Sequence, residues 1–224
     1  MAVIFGQLAL IAIIGYLWGS LPAGYWMGKL VKGKAFDIRQ YGSHKIGATN
    51  VLRTLGKFPA LIVFILDLSK GIVPVLLALF IPFLHGAGWG PTVAGLAALL
   101  GHRFPIFIGF QGGRSVSTGA GAMLIFSPLT FLICVITLSL TIAISRYVSL
   151  GSIVGCLSAM VCGVLFFYIG RMNPAFFARV DLAQMVYLVI GPALVIFFHA
   201  DNISRLLSGT ERKVGQKERL SSTT

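Results

Sequence analysis

Polar residues are rare in this chain, and they gather in four clusters whose residue types suit an anion. The first runs Asp37-Ile-Arg-Gln-Tyr-Gly-Ser-His-Lys-Ile-Gly-Ala-Thr-Asn50 and is followed by Arg53. It combines hydroxyls, an amide, glycines and the cations Arg39, Lys45 and Arg53, a mixture that offers charge together with directed hydrogen bonds. A basic loop kept only for solubility would hold more Glu and Lys and less Gly-Ala-Thr-Asn. Ser43, Lys45, Asn50 and Arg53 are therefore candidate binding residues. The second cluster, Gln111-Gly-Gly-Arg-Ser-Val-Ser-Thr-Gly-Ala-Gly121, opens an apolar run. Glycines permit close backbone approach, and the free amides and positive dipole end of a helix starting there attract phosphate. The Gly-Lys-Ser/Thr ending of a Walker loop is absent. With Arg114, Ser115, Ser117 and Thr118 beside Gly112 and Gly113, a phosphate cradle is the better reading than a plain glycine turn.

The third cluster lies within an apolar run. Asp67 and Lys70 are three residues apart, so they share a helix face and can pair. Asp67 falls about 15 Å into a span that starts near Phe58. Charges at that depth must face protein or water, and a structural ion pair and a substrate-site role both fit. His102-Arg103, at the end of the next span, raises the same question. The fourth cluster is His199-Ala-Asp-Asn-Ile-Ser-Arg205, then Leu-Leu-Ser-Gly-Thr-Glu211. A histidine at a membrane edge among polar neighbours can act as base, acid or phosphate ligand, and Asn202 and Glu211 stand near it. The four histidines are scattered and carboxylates are scarce, so no metal site is expected.

Of the 224 residues, 57% are hydrophobic and 11% charged, and mean hydropathy is +0.91; a soluble domain carries about 25% charged residues. Apolar segments run roughly over 3–28, 58–84, 91–110, 116–145, 148–170 and 182–200, several reaching the ~20 residues a crossing needs. The first 28 residues hold no charge, so the basic start of a cleavable signal is missing and a retained first helix is expected. The net charge of +12 argues against nucleic acid by its distribution. Lys29, Lys32, Lys34, Arg39, Lys45, Arg53 and Lys57 crowd one loop, while Arg205, Arg212, Lys213, Lys217 and Arg219 fill the tail. That is the positive-inside pattern. Both basic segments must lie on one side, which six spans forbid. Ser127-Pro128 interrupts the 116–145 run, because proline removes an interior hydrogen bond and disfavours helix before it. Splitting there predicts an all-α protein with seven transmembrane helices, N-terminus outside and C-terminus cytoplasmic. The piece 116–126 is short and suits a tilted or broken helix packed against protein. One integral-membrane domain covers 1–224, with a helical core to 205 and a basic tail over 206–224. Gly15, Gly19 and Gly24 form a small-residue packing face on the first helix; Ser20, four residues after Tyr16, can present a hydroxyl to a cavity. Cys134, Cys156 and Cys162 lack metal-ligand spacing.

These motifs, taken in order, resemble the bacterial integral-membrane family of acyl-phosphate-dependent glycerol-3-phosphate acyltransferases. The likeness is carried by Gly19-Ser20, Gly42-Ser43…Gly47-Ala-Thr-Asn50-Val-Leu-Arg53, Asp67-Leu-Ser-Lys70-Gly71 and Gly101-His102…Phe104-Pro105. It continues through Gly112-Gly113…Val116…Thr118, Arg146-Tyr147…Ser149 and His199…Asn202…Arg205…Gly209…Glu211. The resemblance implies seven spans with a site on the cytoplasmic face of the bacterial inner membrane. It implies acyl transfer from acyl phosphate to the 1-hydroxyl of glycerol 3-phosphate, giving lysophosphatidic acid for phospholipid synthesis, with membrane lipid as surroundings and no cofactor. Ser43, Asn50 and Arg53 would contact substrate, Gly112–Thr118 would cradle phosphate, and His199 and Asn202 would complete the site. The chain departs from the family's usual Gly-Ser-Gly-Asn at His44 and Lys45. Its usual Lys-Gly-Gly-Lys-Gly-Val-Ala-Thr reads Gln111-Gly-Gly-Arg114-Ser115-Val-Ser117-Thr118, and Phe198 replaces a common Arg. Arg114 keeps a cation and adds bidentate reach, whereas a side chain at Ser115 is expected to crowd a backbone-lined phosphate site. The competing readings are a diverged paralogue with another phosphorylated acceptor or lost activity, a small-anion transporter, and a non-catalytic partner in lipid synthesis.

Overall fold

The computed structural model describes residues 1–215, so Lys217 and Arg219 of the expected basic tail lie outside the described residues. Among the described residues ten α-helices follow one another: α1 (Ala2–Gly19), α2 (Ala23–Lys32), α3 (Ala48–Leu55), α4 (Lys57–Phe80), α5 (Gly90–Arg103), α6 (Val116–Phe126), α7 (Pro128–Ser145), α8 (Val148–Met172), α9 (Leu182–Phe197) and α10 (Ala200–Leu207). Five stretches are long and apolar enough to cross a membrane, and six if the α9–α10 pair, bent by 58°, is one span. The expected break at Ser127-Pro128 is present. Ser127 caps α7 by accepting from the Thr130 amide, and Pro128 occupies the first turn, where its missing N–H costs nothing. At 11 residues, α6 rises about 16 Å, half of a hydrocarbon core about 30 Å thick.

The first apolar run is not one straight helix. Pro22 disfavours a helical Leu21, and the chain restarts as α2. α1 packs on α5 through Gly15 and Gly19 of the small-residue face the sequence suggests, whereas Gly24 falls on α2 and packs on the Ile46 carbonyl: a methyl group on Gly15 or Gly19 would strike the Ala94 or Ala98 carbonyl, and one on Gly101 the Tyr16 carbonyl. Close approach of this kind is what holds helices together where lipid removes the hydrophobic drive. Around it, α4 packs on α5 and α6, α8 on α7 and α9. Ile11, Val75, Leu99, Tyr187 and Leu188 fill the centre. Leu132, Ile136, Leu140 and Ile144, spaced by four on α7, are exposed as one apolar stripe, the face such a bundle gives to lipid.

Candidate active site

One cavity of about 380 Å³ opens at the end of the bundle where the basic loops meet. The first loop reaches it through local turns. Arg39, one of its three cations, is held by Asp37 at 2.7 Å and donates to the Ile108 carbonyl at 2.8 Å, so it fastens the loop to the segment after α5. Asn50 is buried in the first turn of α3. Its Oδ1 accepts from the Ser43 amide at 2.9 Å, while its Nδ2 donates to the Tyr41 and Lys45 carbonyls at 3.0 and 2.8 Å. Both polar ends of Asn50 thus shape the turn that presents Ser43 and Lys45 to the cavity. Arg53 follows one helical turn later on the same wall.

The second loop behaves differently from a glycine cradle. The Gly112 and Gly113 amides donate to the Arg103 and His102 carbonyls at 3.2 and 3.1 Å, so neither is available to an anion. Gly113 lacks a side chain because the His102 imidazole occupies that space. Neither glycine lines the cavity; Arg114, Ser115, Val116 and Ser117 do. Ser115 adopts φ +62°, a conformation glycine tolerates best. Its hydroxyl turns away from the first turn of α6 and donates to the Leu99 carbonyl at 2.8 Å. The expected crowding is thereby avoided, and the unpaired amides that open any helix begin at the cavity wall.

From the far end of the chain come His199, between α9 and α10, and Asn202 on α10. His199 Nδ1 lies 2.8 Å from the Val195 carbonyl. A carbonyl only accepts, so Nδ1 carries the hydrogen and the neutral ring keeps Nε2 as an acceptor. Asn202 Nδ2 donates to Glu211 Oε1 at 2.7 Å. A carboxylate likewise only accepts, which fixes the amide's orientation and leaves Oδ1 buried without a partner among the described residues. Glu211 also accepts from Ser149 at 2.7 Å and pairs with Arg205 at 2.8 Å. Burial opposes its ionisation, but these donors outweigh that and hold its carboxyl below the usual 4.5. Glu211, expected as a binding residue, stands at the cavity as a strut tying the tail to α8 and α10.

Of the residues singled out in the sequence, Ser43, Lys45, Asn50, Arg53, Asp67, His102, Arg114, Ser115, His199, Asn202 and Glu211 line this single cavity. Five do not. Ser20 donates to the Tyr16 carbonyl at 2.7 Å inside the α1–α5 contact, and the Tyr16 hydroxyl donates to the Phe104 carbonyl. Thr118 donates to the Asp67 carbonyl at 3.0 Å, stapling α6 to α4. Lys70 is buried behind Asp67, which it bonds at 2.5 Å, and Gly112 and Gly113 pack on the end of α5. Sequence reasoning missed Arg205 and Arg212 as lining cations and Ser149 as a strut. The likeness around Ser149 and Arg205 was the available signal; nothing marked Arg212 apart from its tail.

Five cations line the space, Lys45, Arg53, Arg114, Arg205 and Arg212, against the carboxylates Asp67 and Glu211, each already engaged by Lys70 or Arg205. Burial, then the neighbouring Arg103, pushes the Lys45 ammonium below its ordinary range. Burial, then Arg212, acts the same way on Arg53. Crowded, desolvated cations of this kind are stabilised by a phosphate oxygen.

A bundle of membrane-length apolar helices with a cation-lined cavity at one end defines a multi-pass integral membrane protein. A family model described as glycerol-3-phosphate acyltransferase matches residues 9–209, and the chain belongs to that family. Relatives named glycerol-3-phosphate acyltransferase include one from Desulforamulus reducens, 41% identical over 93% of this chain and 96% of its own. Another, from Symbiobacterium thermophilum, is 38% identical over 95% and 98%. Among solved structures, the chain is similar to PlsY (YgiH), an integral membrane glycerol 3-phosphate acyltransferase. The TM-score is 0.77 for the glycerol 3-phosphate form, at 35% identity over 93% of this chain and 96% of that one. For the lysophosphatidic acid form it is 0.76, at 34% identity.

Proposed function

We propose that this protein transfers a fatty acyl group from acyl phosphate to the 1-hydroxyl of glycerol 3-phosphate, releasing lysophosphatidic acid and inorganic phosphate. One observation carries the reading: Ser43, Arg53, Arg114, His199 and Asn202, from segments far apart in the chain, converge on a single cavity rich in cations. Acyl phosphate is already activated, so no acyl-enzyme is required. The protein's task is to hold two phosphates close despite their repulsion and to align a hydroxyl with a carbonyl carbon, which is catalysis by positioning and electrostatics. Arg53 and Arg114 offset the phosphate charges, and Ser43 and the free amides opening α6 supply directed donors. The bare Nε2 of His199 and the unpartnered Oδ1 of Asn202 are acceptors suited to holding the attacking hydroxyl. The ester C–O bond forms as the acyl C–O bond to phosphate breaks, and the hydroxyl proton ends on the departing phosphate. Phe64, Leu138 and Val148 supply apolar lining on the α4, α7 and α8 side, suited to the acyl chain.

The fold fits this task as one domain crossing the bacterial inner membrane seven times, α6 being a half-length crossing and α7 the separate return. In this arrangement the N-terminus is outside, and the cavity faces the cytoplasm, where glycerol 3-phosphate is soluble. The Asp67–Lys70 pair, each member 2% exposed, is satisfied internally, which favours acyl transfer over anion transport. The test is reconstituted protein supplied with labelled acyl phosphate and glycerol 3-phosphate. Labelled lysophosphatidic acid is expected; vesicle uptake of glycerol 3-phosphate without any acylated product would reject the reading.

A further inference from the structure

Arg103, the last residue of α5, is a cation that the site described above does not use. Its guanidinium carbon lies 5.1 Å from the centre of the Phe104 ring and 5.4 Å from that of Phe198, two rings packed edge to face at 5.9 Å. Aromatic faces attract a guanidinium and fix its plane, but they accept none of its five N–H groups in a full hydrogen bond. Nε is buried without a partner, and the side chain makes no ion pair among the described residues. Buried donors of this kind are rare in folded proteins unless something else satisfies them.

Its surroundings say what that is. Arg103 follows His102, and Phe198 precedes His199, and both histidines line the cavity. The charges that bear on Arg103 are those of Asp201 and Arg114, and Lys45 in turn feels Arg103. Asp201 is already bonded by Arg114 at 3.0 Å and Arg205 at 3.3 Å. Lys45 and Arg103 thus form a cationic lobe without a carboxylate of its own. Arg103 is not itself a lining residue, but His102 beside it and Lys45 are; α5 packs on α1, α4, α6 and α9, whereas the apolar lining of Leu138 and Val148 belongs to α7 and α8. A substrate with an acyl chain directs its tail toward that apolar wall; a small polar one has no such demand.

We propose that Arg103, oriented by Phe104 and Phe198, is a phosphate-binding residue that joins Lys45 in holding the tail-less substrate, glycerol 3-phosphate under the function proposed above, on which this assignment rests. Steady-state acyl transfer in nanodiscs tests it, with each substrate varied in turn for Arg103→Gln, Arg103→Lys and Phe198→Leu. Losing a charge-assisted hydrogen bond should raise the KM for glycerol 3-phosphate about tenfold or more in Arg103→Gln. The kcat and the KM for acyl phosphate should stay within about twofold, since the interaction is made equally in ground and transition states. Arg103→Lys should recover part of the loss, and Phe198→Leu should show a smaller rise in the same constant. An unchanged KM for glycerol 3-phosphate, or a rise confined to acyl phosphate, overturns the assignment. Binding of labelled glycerol 3-phosphate without donor separates the two readings. Binding that weakens in Arg103→Gln, in a protein yielding no acylated product, supports the phosphate site and rejects acyl transfer. Binding equal in wild type and Arg103→Gln rejects the role of Arg103 alone, and a wild type that neither binds nor acylates rejects both.

Discussion

His44 and Ser115 sit at φ +56° and +62°, in the left-handed region that costs a residue with a Cβ roughly 1–2 kcal/mol. Both stand where the resembling family commonly has glycine, so the backbone shape of the site persists although the residues differ. His44 is exposed, and its ring contact to the Arg39 carbonyl at 2.9 Å is worth little in water. His44→Gly is expected to raise stability by about 1 kcal/mol, read as a higher melting temperature, with acyl transfer little changed; a lower melting temperature would show that the ring contact outweighs the strain. Residue types alone marked Ser43, Arg53, Arg114 and His199 as candidates, because cations and hydroxyls in an apolar chain have few other reasons to cluster. They did not separate residues that face the cavity from residues that shape it. Asn50 and Glu211 are polar in either role, and only their hydrogen-bond partners reveal that both are largely committed to neighbouring protein groups.

At the scale of elements, one carboxylate ties the segment after α10 to three side chains, beside the bonds of Arg212 to the Gly42 carbonyl and of Val214 to Arg146. Glu211 joins Ser149 at the start of α8, Asn202 on α10 and Arg205, and Asn202 is thereby fixed with Oδ1 free for substrate. The Glu211 pKa is lowered from 4.5. A depressed carboxylate adds stability that is fully present above its unfolded value and is lost as pH falls through its folded value. The wild-type melting temperature should therefore drop as pH falls below about 4.5, and Glu211→Gln should lack that part of the drop while being less stable at pH 7. A wild-type profile parallel to that of Glu211→Gln would show that the strut carries no charge-dependent stability. The helices themselves were largely readable: apolar runs of crossing length, the proline break at Ser127-Pro128, and the glycine face of α1. The bend at Pro22 was not foreseen, because apolar residues continue through it and hydropathy carries no trace of a change in direction. The Gly112-Gly113 stretch misled for a related reason. Glycine signals close approach, and the sequence does not say whether the approaching group is a phosphate or, as here, the end of α5.

For the molecule as a whole, the separation of basic loops from apolar belt is what the proposed orientation rests on. With the cavity toward the cytoplasm, a cysteine at His85→Cys, in the loop between α4 and α5, should react with an impermeant maleimide from outside spheroplasts. One at Ser208→Cys, just after α10, should react only after permeabilisation, since the native Cys134, Cys156 and Cys162 are buried; the reverse pattern would invert the topology. What hydropathy could not supply was convergence. Residues 43, 53, 114 and 199 are brought together only by α4, α5, α6 and α9 packing at one end, a consequence of side-chain fit that spacing does not encode. That convergence is most directly tested by the rate of lysophosphatidic acid formation in the Arg53→Ala protein at saturating acyl phosphate, measured on a preparation whose melting curve matches wild type. Removing a cation that lines the cavity should lower the rate about 100-fold or more. A rate within about threefold of wild type, a difference of less than 1 kcal/mol, would contradict the account, because it would mean that the cations of this cavity do not bear on the transfer at all.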